Sequence, residues 1–265
     1  MTIPPKQPIT GWQRTAVIWL QKLTYRFARH WLLAFNLFFL TYAGLPVLAP
    51  VLMHVGFTAP ARFIYTAYSP MCHQMASRSY FLFGEQIAYP RALAGTNLLP
   101  IESYMSSIPE FSAASTDPAD WGQFLFAARQ FIGNPQMGYK TAVCERDLAI
   151  YGFVFIGGLV YGVVRQRRKI GPLPLLAFIL IGMGPIGLDG FSQLFSQFAS
   201  TPVFSSLQAI FPLRESTPFL RTFTGAIFGF MLVWLTFPHI NEGLKETEER
   251  LAAKLRRIGE LPEEL

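Results

Sequence analysis

The chain has 265 residues, 51% of them hydrophobic and 14% charged, with a formal net charge of +6. Ordinary soluble domains carry about 25% charged residues, so this composition, with a mean hydropathy of +0.32, excludes an ordinary soluble domain and indicates an integral membrane protein. The positive charge sits beside apolar segments, with no basic and aromatic platform elsewhere, which argues for anionic lipid and against nucleic acid as its partner.

Residues 1–30 contain Lys6, Arg14, Lys22, Arg26 and Arg29 and no acid. Trp12, Ala16, Trp19, Leu20, Leu23 and Phe27 fall on one helical stripe. This pattern fits either a cytoplasmic amphipathic helix in the plane of the membrane or a plain extension of the first span. No cleavable signal peptide is evident, and the basic flank with the following apolar run reads as a signal-anchor.

Four segments reach the length of about 20 residues needed to cross a bilayer: 31–55, 148–164, 173–195 and 219–237. Pro46, Pro50 and Pro185 predict kinks. The basic amino-terminal segment and the Arg165–Lys169 link mark the cytoplasmic side. The expected architecture is therefore an all-α integral membrane protein of four transmembrane helices, with both termini cytoplasmic. The connection 56–147 is extracytoplasmic in this reading and too long to be structureless. It predicts a short helix from His73 to Phe83 and an amphipathic helix from Trp121 to Ile132, started by Asp117-Pro118 and ended by Gly133. The tail 238–265 reads as a charged helix with Leu244, Leu251, Leu255 and Ile258 on one side, suited to the membrane surface or a partner.

Polar residues converge on one level. Asp189 lies 17 residues after Pro172, about 25 Å along a regular helix and near the outer edge of the hydrocarbon. Gln193 follows one turn later. Arg214, Glu215 and Arg221 begin the fourth span from the same side, and Asp147 begins the second. An ionised residue deep in a bilayer costs about 2.5–3.5 kcal/mol on insertion scales. Such residues therefore pair with one another, which fixes helix register, or line a wet cavity.

The only two cysteines, Cys72 and Cys144, lie at this level with His73 and Asp147. Two sulfurs, an imidazole and a carboxylate suit a tetrahedral zinc site. With all four bound the site is closed and structural; with Asp147 out, a position opens for water. Adjacent Cys72 and His73 make an awkward pair of ligands. A Cys72–Cys144 disulfide and two unrelated thiols are the alternatives, and the sequence leaves all three open.

Cys72-His73-Gln74, followed by Arg78-Ser79-Tyr80-Phe81, resembles the opening of an uncharacterised family of predicted prokaryotic membrane proteins, domain of unknown function 2085. That family continues with Cys-x-Arg-Cys-Thr-Gly-Ile-Tyr, where this chain has Cys144-Glu145-Arg146-Asp147-Leu148-Ala149-Ile150-Tyr151. Its Asp-Gly-x-x-Gln run is matched by Asp189-Gly190-Phe191-Ser192-Gln193. Its Arg-Glu-Ser-Thr run is matched by Arg214-Glu215-Ser216-Thr217, with Arg221, Gly225 and Gly229 beyond. Asp147 stands where many relatives have a second cysteine, and the segment 85–140 is longer than the family leads one to expect. The resemblance implies the membrane architecture and the shared site, and no activity.

Two functional expectations follow. In the first, the protein binds zinc at the extracytoplasmic membrane interface and binds or processes a ligand there. Asp189 or Glu215 serves as a base, Arg221 or Arg214 holds an anion such as a lipid headgroup phosphate, and Gln193 contacts the ligand. In the second, the protein is a non-catalytic subunit of a membrane complex whose metal or disulfide ties the loop down. Gly225 and Gly229 permit close helix packing within the bundle or in a homodimer. The absence of an inverted repeat argues against alternating access, and no nucleotide loop, nucleophile elbow or haem-attachment motif is present.

Overall fold

The computed structural model describes residues 10–115 and 121–262. Four of its helices are long and apolar enough to cross a membrane: α1 (Gly11–His54), α4 (Glu145–Arg167), the run Leu175–Ala199 and α7 (Pro218–Arg257). The run Leu175–Ala199 is made of α5 (Leu175–Ala177), a π-helical turn (Phe178–Met183) and α6 (Gly184–Ala199). Pro185 sits in the first turn of α6. It cannot donate to the Ile181 carbonyl, and the wider turn just before it absorbs the mismatch.

The amino-terminal stretch is helical and meets the first span at a kink. It runs into the first span, and a single non-helical residue, His30 (φ −115°, ψ 20°), marks the bend. The charged helical tail continues the fourth span, as α7 runs through Pro238 to Arg257. The tail packs on the chain's own amino-terminal stretch, burying Tyr25 against Ala252 and Leu255, with Lys22 and Glu260 paired at 2.7 Å. The amino-terminal part of α1 and the carboxy-terminal part of α7 therefore lie together at one end of the bundle. Trp12, Trp19, Leu20, Leu23 and Phe27 remain exposed, as the apolar stripe requires if it faces lipid.

The bundle core forms where Trp31 and Leu32 of α1 meet Val154 and Tyr161 of α4 and Val233 and Phe237 of α7. Gly225 and Gly229 are spent inside this bundle and not on a second copy. A Cβ at Gly225 would lie 2.7 Å from the Arg146 carbonyl oxygen of α4, and one at Gly229 would overlap the Ile150 carbonyl.

Three helix-interior prolines free carbonyls that other segments then use. Pro46 leaves the Tyr42 carbonyl open, and the Tyr68 hydroxyl donates to it at 2.8 Å. Pro50 opens the Pro46 carbonyl, which accepts the Ala142 N–H at 3.1 Å. Pro238 opens the Trp234 carbonyl, which accepts the Leu173 N–H at 2.9 Å. Each orphaned acceptor in an apolar setting needs a partner, and here each becomes an anchor for a neighbouring segment.

The 56–147 connection forms a unit at the opposite end of the bundle, and it corrects the all-α expectation. After α2 (Thr58–Tyr68) the predicted helix from His73 to Phe83 is absent. Gln74 takes a left-handed backbone (φ 52°), a conformation that ends helices, and only a 3₁₀ turn at Ala76–Arg78 follows. The strands β1 (Phe81–Leu82), β2 (Gly133–Asn134) and β3 (Gly138–Lys140) form a three-stranded antiparallel sheet in the order β1-β3-β2. Gly138 (φ 77°) abuts the Leu82 carbonyl, where a side chain would not fit. Helix α3 (Trp121–Gln130) matches its expectation, though its predicted Asp117-Pro118 start lies outside the described residues. Phe81, Tyr89, Ile101, Phe111, Phe124 and Phe131 make the core of this unit.

Candidate metal and polar site

Helix α4 begins at the site. Cys144 is its N-cap, and the Asp147 N–H donates to Cys144 Sγ at 3.4 Å. The Cys144 N–H donates in turn to Cys72 Sγ at 3.2 Å. Among the described residues, one ligand atom each from Cys72, Cys144 and Asp147 falls within 4.8 Å of the others. Both cysteines are free thiols. A hydrogen bond from the Cys144 thiol lowers the Cys72 thiol against the opposing effect of burial. The same shared proton, with burial, pushes Cys144 well above its ordinary value. Of the two thiols, Cys72 is therefore the one that gives up its proton first.

His73 stands apart from this trio. It is exposed, although it lines the same cavity of about 280 Å³. Successive residues on this non-helical turn point different ways, so the buried Cys72 leaves its neighbour outside. Gln74, the third residue of the motif, is structural: its amide donates to the Tyr65 carbonyl at 2.8 Å and to the Ala142 carbonyl at 2.7 Å. Lys140 supports it from below. Its buried ammonium donates to the carbonyls of Gln74 (2.5 Å), Ala128 (3.1 Å) and Arg129 (2.8 Å), and burial pushes its pKa down to about 7. Ala142 is the residue tied to the freed Pro46 carbonyl, so a proline in α1 helps position the second cysteine.

The convergence of polar residues expected from helix depth is present, with partners the sequence did not reveal. Arg221 lies between two acids: it bonds Glu215 and reaches Glu145 at 3.4 Å. All three are nearly inaccessible to solvent. Arg78 grips Glu215 with two bonds, 2.7 and 3.1 Å. Burial works to raise the Glu215 carboxyl, but the guanidiniums of Arg78 and Arg221 outweigh it and hold it below the usual range. Asp189 bonds Arg146, accepts from Arg214 at 3.1 Å and Ser216 at 2.9 Å, and has Gln193 at 3.5 Å. The two carboxylates considered as bases are thus fully engaged by arginines. Asp189 and Arg221, the simplest ion pair to expect, belong to different clusters.

Arg78, Glu145 and Arg146 escaped the sequence reading. Their signal was there: each lies within a quoted motif, and a charge beside an apolar span needs a partner. Cys72, His73, Cys144, Asp147, Gln193 and Arg221 line the cavity with Arg78 and Arg146, whereas Arg214, Glu215 and Asp189 stand behind its wall.

Fold and site together describe a membrane protein with a polar cavity at one end of an apolar helical bundle. Residues 131–235 match the model of a family described as predicted membrane protein (DUF2085), bearing out the resemblance read from the motifs; Cys72 and His73 precede the matched stretch. The chain is also similar to the uncharacterised protein MJ1492 of Methanocaldococcus jannaschii. The two are 25% identical over 212 residues, covering 78% of this chain and 88% of the relative. No solved structure matches.

Proposed function

We propose that this protein binds one zinc ion through Cys72, Cys144 and Asp147 at the extracytoplasmic face of the cell membrane, and binds or processes a ligand in the adjoining cavity. The observation that carries the reading is the approach of three ligand atoms to within 4.8 Å of one another. Zinc bonds of about 2.0–2.3 Å place such atoms roughly 3.5 Å apart, so a small closing movement completes the set. The lowered Cys72 thiol suits a metal that binds the deprotonated form. His73, at the rim of the cavity, either swings in as a fourth ligand or leaves that position to the ligand. In the open form zinc supplies a Lewis acid or an acidified water. Asp189 and Glu215 then act by holding Arg146, Arg214 and Arg221 in place and not as proton acceptors.

The test is metal content, by plasma mass spectrometry, of protein purified in detergent without added zinc or chelator. About one zinc per chain is expected, lost in Cys144→Ser and reduced in Asp147→Asn. Metal-free wild-type protein would refute the reading and favour the competing one, a non-catalytic complex subunit with a Cys72–Cys144 disulfide. That second reading draws support from the buried Arg221–Glu145–Glu215 cluster, which ties α4 to α7. Normal assembly after Asp189→Ala would strengthen it.

A further inference from the structure

The cavity beside the sulfurs is lined by Cys72, Cys144 and Asp147 together with Arg78, Arg146 and Arg221. Arg78 and Arg221 are committed to Glu215 and Glu145. Arg146 differs. It bonds Asp189 through one terminal nitrogen, while its Nε is closed off from solvent with no hydrogen-bond partner. Asp189 thus engages only one of the two terminal nitrogens, and Arg146 keeps 22% of its side chain exposed where it lines the cavity. Asp189 is also shared: it serves Arg146 and Arg214 together.

We infer that the cavity is an oxyanion site and that its ligand is a phosphate group, with Arg146 as the principal contact. A guanidinium presents its donors as a planar fork that matches phosphate oxygens in pairs. Gln193, also on the wall, offers an amide donor beside it. The inference rests on the zinc reading in one respect, since an open metal position in the same cavity would provide the second anchor. Size narrows the ligand. A volume of about 280 Å³ lies just below the roughly 300–1,000 Å³ of sites that enclose drug-sized molecules. It admits a phosphate-bearing headgroup or a free phosphate and not a whole lipid.

The experiment uses the full chain in a sugar-based detergent, free of phosphate. Arginines are modified with phenylglyoxal and followed residue by residue by mass spectrometry, with inorganic phosphate, dioctanoyl phosphatidic acid or dioctanoylglycerol added at constant ionic strength. Phosphate or phosphatidic acid is expected to slow modification of Arg146 by about five-fold or more, leaving the exposed Arg165 unaffected. Dioctanoylglycerol is expected to do nothing. Protection by inorganic phosphate identifies a small-ion site, and protection by phosphatidic acid alone identifies a lipid headgroup; protection by neither overturns the inference. Calorimetric titration of Arg146→Lys, which keeps the charge facing Asp189 but removes the planar fork of donors, is expected to show about ten-fold weaker binding. Affinity equal to wild type overturns the inference as well. Zinc is measured in the same samples: protection without zinc sinks the metal reading alone, and zinc without protection sinks the oxyanion site alone.

Discussion

Glu215 shows how a single side chain holds the site. It receives Arg78 and Arg221 together in a nearly dry setting, and removing one partner of a buried ion pair costs about 3–5 kcal/mol because the other charge stays buried. Glu215→Gln is therefore expected to lower the melting temperature in detergent at pH 7 by several degrees. The pH dependence has a definite sign. The folded carboxyl titrates below its ordinary value of 4.5, so its contribution is fully present above pH 4.5 and is lost as pH falls through the lower folded value. Wild-type protein should lose stability below pH 4.5, and Glu215→Gln should lose less over the same interval. Equal slopes for the two proteins would show that the Arg78–Glu215–Arg221 cluster does not govern acid stability.

Among the elements, the prolines of α1 deserve the closest reading. A proline in a helix removes one N–H and frees the carbonyl four residues earlier. The freed Pro46 carbonyl takes the Ala142 N–H, two residues before Cys144. Pro50→Ala restores a competing helical donor and improves local helix propensity by about 3 kcal/mol. It is thus expected to stiffen α1 while loosening the loop. The readout is faster hydrogen exchange at Ala142 and faster maleimide labelling of Cys144; unchanged exchange would mean the tether is unimportant. The α4–α7 contact makes a second prediction. Gly229→Ala places a methyl against the Ile150 carbonyl, an overpacking worth about 1–3 kcal/mol, and should lower the melting temperature without changing the oligomeric state. These elements differ in how legible they were. The spans were readable because a bilayer demands long apolar runs, and Asp189 and Gln193 were placed by helix rise alone. The sheet was not, because strands of two or three residues carry no periodicity to detect. The pairing of Arg221 with Glu145 and Glu215, and not with Asp189, depends on helix rotation, which hydropathy leaves undetermined. The misplaced helix at His73 failed on Gln74, whose left-handed backbone is imposed by its two long-range amide bonds.

At the scale of the molecule, the bundle has two unlike ends. One joins the amino-terminal stretch of α1 to the end of α7 through Tyr25, Ala252 and Leu255. The other carries the loop unit and the cavity, with the cysteines, arginines and acids gathered there. Such a division has consequences only if the two ends face different compartments. From the bias of lysine and arginine in the short flanks, Arg14 to Arg29 and Arg165 to Lys169, we propose that the terminal end faces inside. Under that proposal the zinc and phosphate sites would lie outside, where they would meet exported or lipid-borne ligands and not cytoplasmic ones. Single cysteines introduced at the exposed Leu93 of the loop and Lys245 of the tail, in a Cys72→Ser/Cys144→Ser background, test this directly. An impermeant maleimide added to intact cells should label the Leu93→Cys variant at once and the Lys245→Cys variant only after the membrane is opened. The reverse pattern would put the cavity in the cytoplasm, and with it the source of any phosphate ligand.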